Sequence, residues 1–191
     1  MRWLLLFLSG CSSSTQPSNS CDAGAYPCGP YGYGQGATIA DVTVSGQRDG
    51  NGNGHATDDP VADIRLSDYF HDSRLKALAI IIGSESCVPC QNEQPDLVTL
   101  QQRYQGKAAF LEAIVQNAAG QPADQRVIDA WVARFNVPFD MTPDPGQALA
   151  PYYPANSFPS AMAVRLSDMR ITFQVVGPSD GLQQALDQIV N

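Results

Sequence analysis

Two of the five cysteines, Cys87 and Cys90, stand three residues apart in the stretch SESCVPCQNEQP. Such a pair can hold a metal, close a structural bridge or carry electrons, and its flanks discriminate among these. Before it runs LKALAIIIG, Leu75 to Gly83, an apolar stretch bounded by charge and glycine, as expected of a strand buried on both faces. After it, Leu97, Leu100 and Tyr104 recur at helical spacing. Cys87 therefore closes a buried strand and opens a helix, where unpaired N–H groups and the positive dipole end face its sulfur. That location lowers a thiol's pKa from about 8.5 to roughly 3.5–7.5, which populates the nucleophilic thiolate. Cys90 lies on the same helical face, one turn deeper, placed to attack a mixed disulfide formed at Cys87. Pro89 suits the first turn, where its missing N–H costs nothing.

The competing chemistries are weaker. Structural zinc takes four ligands, whereas the only histidines are His55 and His71, and Cys21 and Cys28 are spaced unlike a zinc knuckle. A purely structural Cys87–Cys90 bridge would close too small a loop to stabilise much. The pair reads as a redox dithiol that needs no metal or other cofactor.

The N-terminus sets the compartment. One charge at Arg2 precedes an apolar run from Trp3 to Leu8, far short of the roughly 20 residues that span a bilayer. Residues 1–10 read as an export signal. Leu-Ser-Gly-Cys resembles a lipobox, which implies cleavage before Cys11, lipidation of that cysteine and anchorage in a bacterial envelope membrane. An ordinary secretory signal, or an N-terminal strand with a free Cys11, are the alternatives. Ser12, where an aspartate would retain a lipoprotein at the inner membrane, favours the outer one. Residues 11–35 read as a Ser-, Gly- and Tyr-rich tether, and 36–191 as one domain, long enough for a single sizeable core. With Cys11 lipidated, four cysteines remain in two close pairs. In an oxidising compartment that parity favours a stapling disulfide between Cys21 and Cys28, a reduced pair or a metal contribution being the lesser readings. The net charge of −8, with Lys76 and Lys107 the only lysines, argues against nucleic-acid binding.

The remaining elements follow from periodicity. Ile39 to Val44 alternates as a strand, and VADIR reads as a second strand that ends in a turn at Ser67-Asp68. Between them, Asp49, Asn51 and Asn53 have the spacing of the first ligands of a calcium loop, but the twelfth position is Pro60, which fits a hairpin tip better. AAFLEAIVQN is another buried strand, and Val127, Ile128, Trp131, Val132 and Phe135 mark an amphipathic helix. A short helix is expected near 147–152. SFPSAMAVRL and RITFQVVG, joined at Ser167-Asp168, make a hairpin, and GLQQALDQIV closes the chain as a helix. Helices separating the earlier strands and a hairpin late in the chain imply a mixed sheet with helices on both faces.

From Gly36 onward the chain resembles the thioredoxin-fold redoxins, most of all the TlpA-type membrane-anchored thiol–disulfide oxidoreductases. The resemblance rests on the Leu66-Ser67-Asp68 lead-in, on Cys87-x-x-Cys90-x-x-Glu93-x-Pro95, and on Phe158-Pro159 ahead of a strand. It implies an α/β fold: a thioredoxin-like three-layer sandwich with a mixed central sheet flanked by helices, here with an N-terminal extension. It also implies Cys87 as the attacking cysteine, Cys90 as the resolving one, a cis peptide bond at Pro159, and Glu93 as a carboxylate near the pair. Partners would be protein disulfides and thiols together with a thiol electron donor. The sequence departs from the pattern at Ser86, where these proteins carry tryptophan, and at Ile81, where thioredoxin has a buried acid. The leading expectation is a protein-disulfide reductase. Alternatives are a thiol peroxidase of peroxiredoxin type, whose frame would put proline at Ile80, and a non-enzymatic envelope lipoprotein on the same fold.

Overall fold

A computed structural model describes residues 25–51 and 53–191. The signal segment, Cys11 and Cys21 lie outside these residues, and with Cys21 the expected pairing of Cys28.

The seven-residue run Ala77–Gly83 forms β3, every residue of it buried. It is the middle strand of a five-stranded mixed sheet of order β5-β4-β3-β6-β7. Strands β4 (Ala108–Ile114) and β5 (Asp140–Pro143) continue parallel on one side of it. Strands β6 (Ser160–Arg165) and β7 (Arg170–Val176) form an antiparallel hairpin on the other. The parallel steps require crossovers, supplied by α2 (Val88–Arg103) and α3 (Gln125–Phe135).

Because side chains alternate across a strand, β3 feeds two cores. Ala77, Ala79 and Ile81 pack with Leu97 of α2, Trp131 of α3 and Leu186 of α4 (Leu182–Val190). Leu78, Ile80 and Ile82 pack on the opposite face with Ile39, Val44, Ile64, Leu66, Tyr69 and Tyr152. Three longer helices thus cover one face. The other is covered by a two-stranded hairpin, the short helix α1 (Leu66–Phe70) and a 3₁₀ turn at Ala150–Tyr152.

That second face differs from the sequence expectation in detail. The first strand, β1, spans Thr43–Gly46 rather than Ile39 to Val44. The alternation at Ile39 is real as burial, but its N–H bonds to the Met169 carbonyl in the turn between β6 and β7. After β2 (Ala62–Arg65), the expected turn at Ser67-Asp68 is the helix α1, because Asp68 accepts a hydrogen bond from the Arg65 N–H as a capping-box carboxylate. β1 and β2 pair antiparallel, and the hairpin docks on the sheet through reciprocal Gln47–Met141 backbone bonds. Gly46 permits this approach, since a Cβ there would collide with the Met141 carbonyl. The lead-in is fastened to the same face: the Tyr26 hydroxyl donates to the Ile39 and Ala40 carbonyls, and the Tyr33 ring meets Tyr152 edge-on.

The calcium-like segment is indeed the hairpin's tip. The Asp49 carboxylate accepts from the Asn53 and Gly54 N–H groups, Asp59 from Gly50 N–H, and Asp58 from the Asn53 amide. The loop thus spends its carboxylates on its own donors. Among the described residues no group of three or more His, Cys, Asp or Glu side chains converges as a metal site, and no helix is long and apolar enough to cross a membrane.

Candidate active site

Strand β3 ends at Gly83, and a tight turn with Cys87 N–H bonded to the Ser84 carbonyl aims the chain into α2. Cys87 is the helix N-cap, with extended backbone angles. Where serine or aspartate usually offers oxygen, Cys87 offers sulfur: its Sγ accepts from the Cys90 N–H at 3.1 Å. A thiolate there would gain from the same donor and from the helix dipole. The two cysteines form a disulfide with Cα atoms 5.2 Å apart. They differ in access. Cys87 is half-buried beside the exposed Val88 and Pro89, whereas Cys90 is 1% exposed and packs on Gly83.

Antiparallel pairing brings Pro159 to the same end of the sheet. Ser160 opposes Ile82, so Pro159 lies one residue beyond the register, level with the end of β3. The Phe158–Pro159 peptide bond is cis. Pro159 is buried and its carbonyl accepts from Gly177 N–H, while Phe158 bridges the two cores and meets the Tyr153 ring.

Glu93 falls on the buried face of α2, one turn beyond Cys90. Its Oε2 accepts from the Ser179 N–H at 3.0 Å, and its Oε1 is buried without a hydrogen-bond partner. Burial pushes its carboxyl above the usual range, opposed by the Ser179 donor. Pro95 lies within the helix, and the Thr99 hydroxyl donates to its carbonyl.

Two further residues belong to this environment and were not singled out in the sequence. Gln94 is fully buried and its amide bridges from the Cys90 carbonyl (3.4 Å) to Glu112 Oε1 (2.7 Å). Glu112 sits in the middle of β4 with no solvent exposure, and burial raises its carboxyl to about 8. The signal was present in the sequence as a single acid inside the otherwise apolar strand AAFLEAI. Trp131 Nε1 approaches Glu112 closely enough to favour its ionised form, yet neither Nε1 nor Glu112 Oε2 completes a regular hydrogen bond.

No protein-family model matches the chain, and no curated protein matches it. Solved structures do. A putative thiol:disulfide interchange protein from Chlorobium tepidum superposes with a TM-score of 0.60 at 16% identity, over 82% of this chain and 95% of that one. A secreted disulfide oxidoreductase from Mycobacterium tuberculosis gives 0.53 at 17%, over 67% and 90%. A reduced 2-Cys peroxiredoxin from Plasmodium vivax gives 0.59 at 11%, over 80% of each chain. The fold is therefore the thioredoxin fold, an α/β sandwich with a mixed central sheet.

Proposed function

We propose that this chain is a thiol–disulfide oxidoreductase that reduces protein disulfides in a bacterial envelope, held to a membrane by lipid on Cys11 and facing the periplasm, at the outer membrane. The observation that carries the reading is the asymmetry of the pair: Cys87 caps α2 at an accessible position, and Cys90 is buried behind it. Cys87 thiolate attacks a substrate disulfide, one substrate sulfur leaves as a thiolate, and a mixed disulfide remains. Cys90 then attacks Cys87 Sγ, closes the Cys87–Cys90 bond and releases the second substrate thiol. A thiol donor of the envelope returns the pair to the dithiol. Pro159 would shape the docking side of the pair, and Glu93 would set the charge behind it.

The test is reduction of a protein disulfide in the presence of a dithiol donor. Cys87→Ser should abolish it, and Cys90→Ser should accumulate a mixed disulfide on Cys87. Full activity in Cys87→Ser would refute the assignment. The likeness to a peroxiredoxin keeps thiol peroxidase as the second reading. Consumption of hydrogen peroxide that depends on Cys87 and exceeds disulfide reduction would favour it.

A further inference from the structure

Basic residues lie scattered along this acidic chain, yet strand pairing gathers four of them at one end of the sheet. Lys76 stands directly before β3 and Lys107 directly before β4, and the Lys76 N–H donates to the Lys107 carbonyl at 2.8 Å. Arg165, the last residue of β6, is level with Ala77, and Arg170, the first of β7, is level with Arg165. Across the strand ends the order is therefore Lys107, Lys76, Arg165, Arg170. With strands about 4.8 Å apart, the row is roughly 15 Å long. All four residues are exposed. Asp168 pairs with Arg165 and Arg170 together, and among the described residues neither lysine has a carboxylate partner. Lys76 and Lys107 are the only lysines of a chain whose net charge is −8.

Two observations say what faces this row. The first is an open cavity of about 410 Å³ that begins at Lys76 and Arg165. Ser73 and Ser167 also line it, over an apolar floor that includes Phe70 and Ile189. Its one carboxylate, Asp72, is already held by two bonds from the Arg74 guanidinium. Cations beside hydroxyl donors suit a phosphate oxygen. The second is where the chain enters. Tyr26 meets the Phe70 ring edge-on at 5.7 Å, and Thr38 bridges Arg170, so the lead-in joins the domain at its basic end. Cys11 is fifteen positions before Tyr26, a stretch that reaches at most about 50 Å. A lipid there would hold the domain near a bilayer by this end. Cys87 follows the far end of the seven-residue β3, about 20 Å away.

We propose that the row from Lys107 to Arg170, with the cavity beside it, is a membrane-facing surface that takes the phosphate headgroups of anionic phospholipids. This rests on the anchored reading of Cys11, and it turns Cys87 away from the bilayer towards its substrates. Each basic side chain near such a surface is worth about fivefold in binding, so four cations set against one Asp168 supply about a hundredfold at low salt. The acidic remainder of the chain opposes this, but beyond about 10 Å it is screened at 0.1 M salt. Lipids diffuse, so anionic headgroups can gather beneath the row and leave the acidic sides of the domain. A polymer of fixed phosphates has no such freedom.

The test is an amine footprint, which reads this surface because both lysines of the chain lie in it. The full chain is mixed with vesicles of phosphatidylcholine alone, or with one third phosphatidylglycerol, and acetylation is followed by peptide mass spectrometry. At low salt Lys76 and Lys107 should react about tenfold or more slowly on the anionic vesicles, and high salt should restore their rates. Alkylation of reduced Cys87 should run equally fast on both. Arg165→Glu/Arg170→Glu changes exposed positions, keeps both lysines as reporters and should lose the protection. Equal lysine rates on the two vesicles would overturn the proposal, and so would slowing of Cys87 together with the lysines. Protection by inorganic phosphate as strong as that by anionic vesicles would also overturn it, in favour of a soluble ligand. Flotation with phosphatidylcholine vesicles reads the anchor separately. No flotation there, beside lysine protection on anionic vesicles, would refute the lipid on Cys11 and leave the surface standing.

Discussion

Replacing Glu112 by glutamine should make the protein more stable at high pH, although it alters a fully buried residue. In the unfolded chain this carboxyl loses its proton near 4.5, whereas in the folded protein it keeps it to about 8. Between those values the folded state binds more protons than the unfolded one, so stability is fully present below 4.5 and falls as pH rises towards 8. The displacement corresponds to a ceiling of roughly 5 kcal/mol, reduced by whatever local rearrangement solvates the ionised form. Against ordinary domain stabilities of about 5–15 kcal/mol that is a large share. The substituted glutamine would keep a carbonyl oxygen for the Gln94 amide and would have no charge to bury. Asp140 adds a smaller slope of the same sign, since burial raises it from 3.8 to about 6, and the variant retains that part. Urea unfolding of the oxidised protein at pH 5, 7 and 9 is the assay, with Trp131 beside the acid as fluorescent probe. At pH 5 the two proteins should agree within about 1 kcal/mol, and at pH 9 the variant should lead by about 2–5 kcal/mol with an unchanged m-value. A variant that loses stability with pH as steeply as the parent would refute the placement of a neutral acid in this core.

Tyr69→Phe removes the hydroxyl that donates to Asp140 Oδ2 at 2.6 Å in a buried setting. It should cost about 1–3 kcal/mol in urea unfolding, more at pH 8 than at pH 5, because the carboxylate left behind is charged only at the higher pH. Asp124 caps α3, accepting from the Arg126 and Val127 N–H groups. Asp124→Ala should lower stability by about 1 kcal/mol, and the Arg126 ion pair, exposed on both sides, should contribute little of it.

Much of the fold is legible because its signals are local. The run 75–83 is apolar throughout, and a strand lying between two packed layers needs that property. The α3 and α4 helices announce themselves by period. What was not legible depended on partners distant in sequence. Leu66–Phe70 is helical because the Asp68 carboxylate accepts from the Arg65 N–H three residues back and because Leu66 and Tyr69 have a core to enter. Ile39 alternates like a strand residue, but its N–H goes to Met169, 130 residues on. Helix α2 hid its buried face, since four of the positions that face inward are Cys90, Glu93, Gln94 and Leu97, three of them polar or reactive. A hydrophobic pattern cannot reveal a buried face made largely of polar side chains.

The same reasoning explains why the acid behind Cys90 is hard to find in the sequence. At Ile81, where thioredoxin keeps a buried acid, a reading of β3 alone finds none in this chain. Ile81 is apolar, but across the β3–β4 ladder its partner is Glu112. Side chains opposite one another in paired strands share a face of the sheet, so an acid on β4 at this level projects into the same layer as one on β3 would. Register, which only the folded chain reveals, puts into that layer an acid that a reading of β3 alone does not find. The buried amide of Gln94 reaches both Glu112 Oε1 and the Cys90 carbonyl, so the acid on β4 is tied to the turn of α2 that carries Cys90.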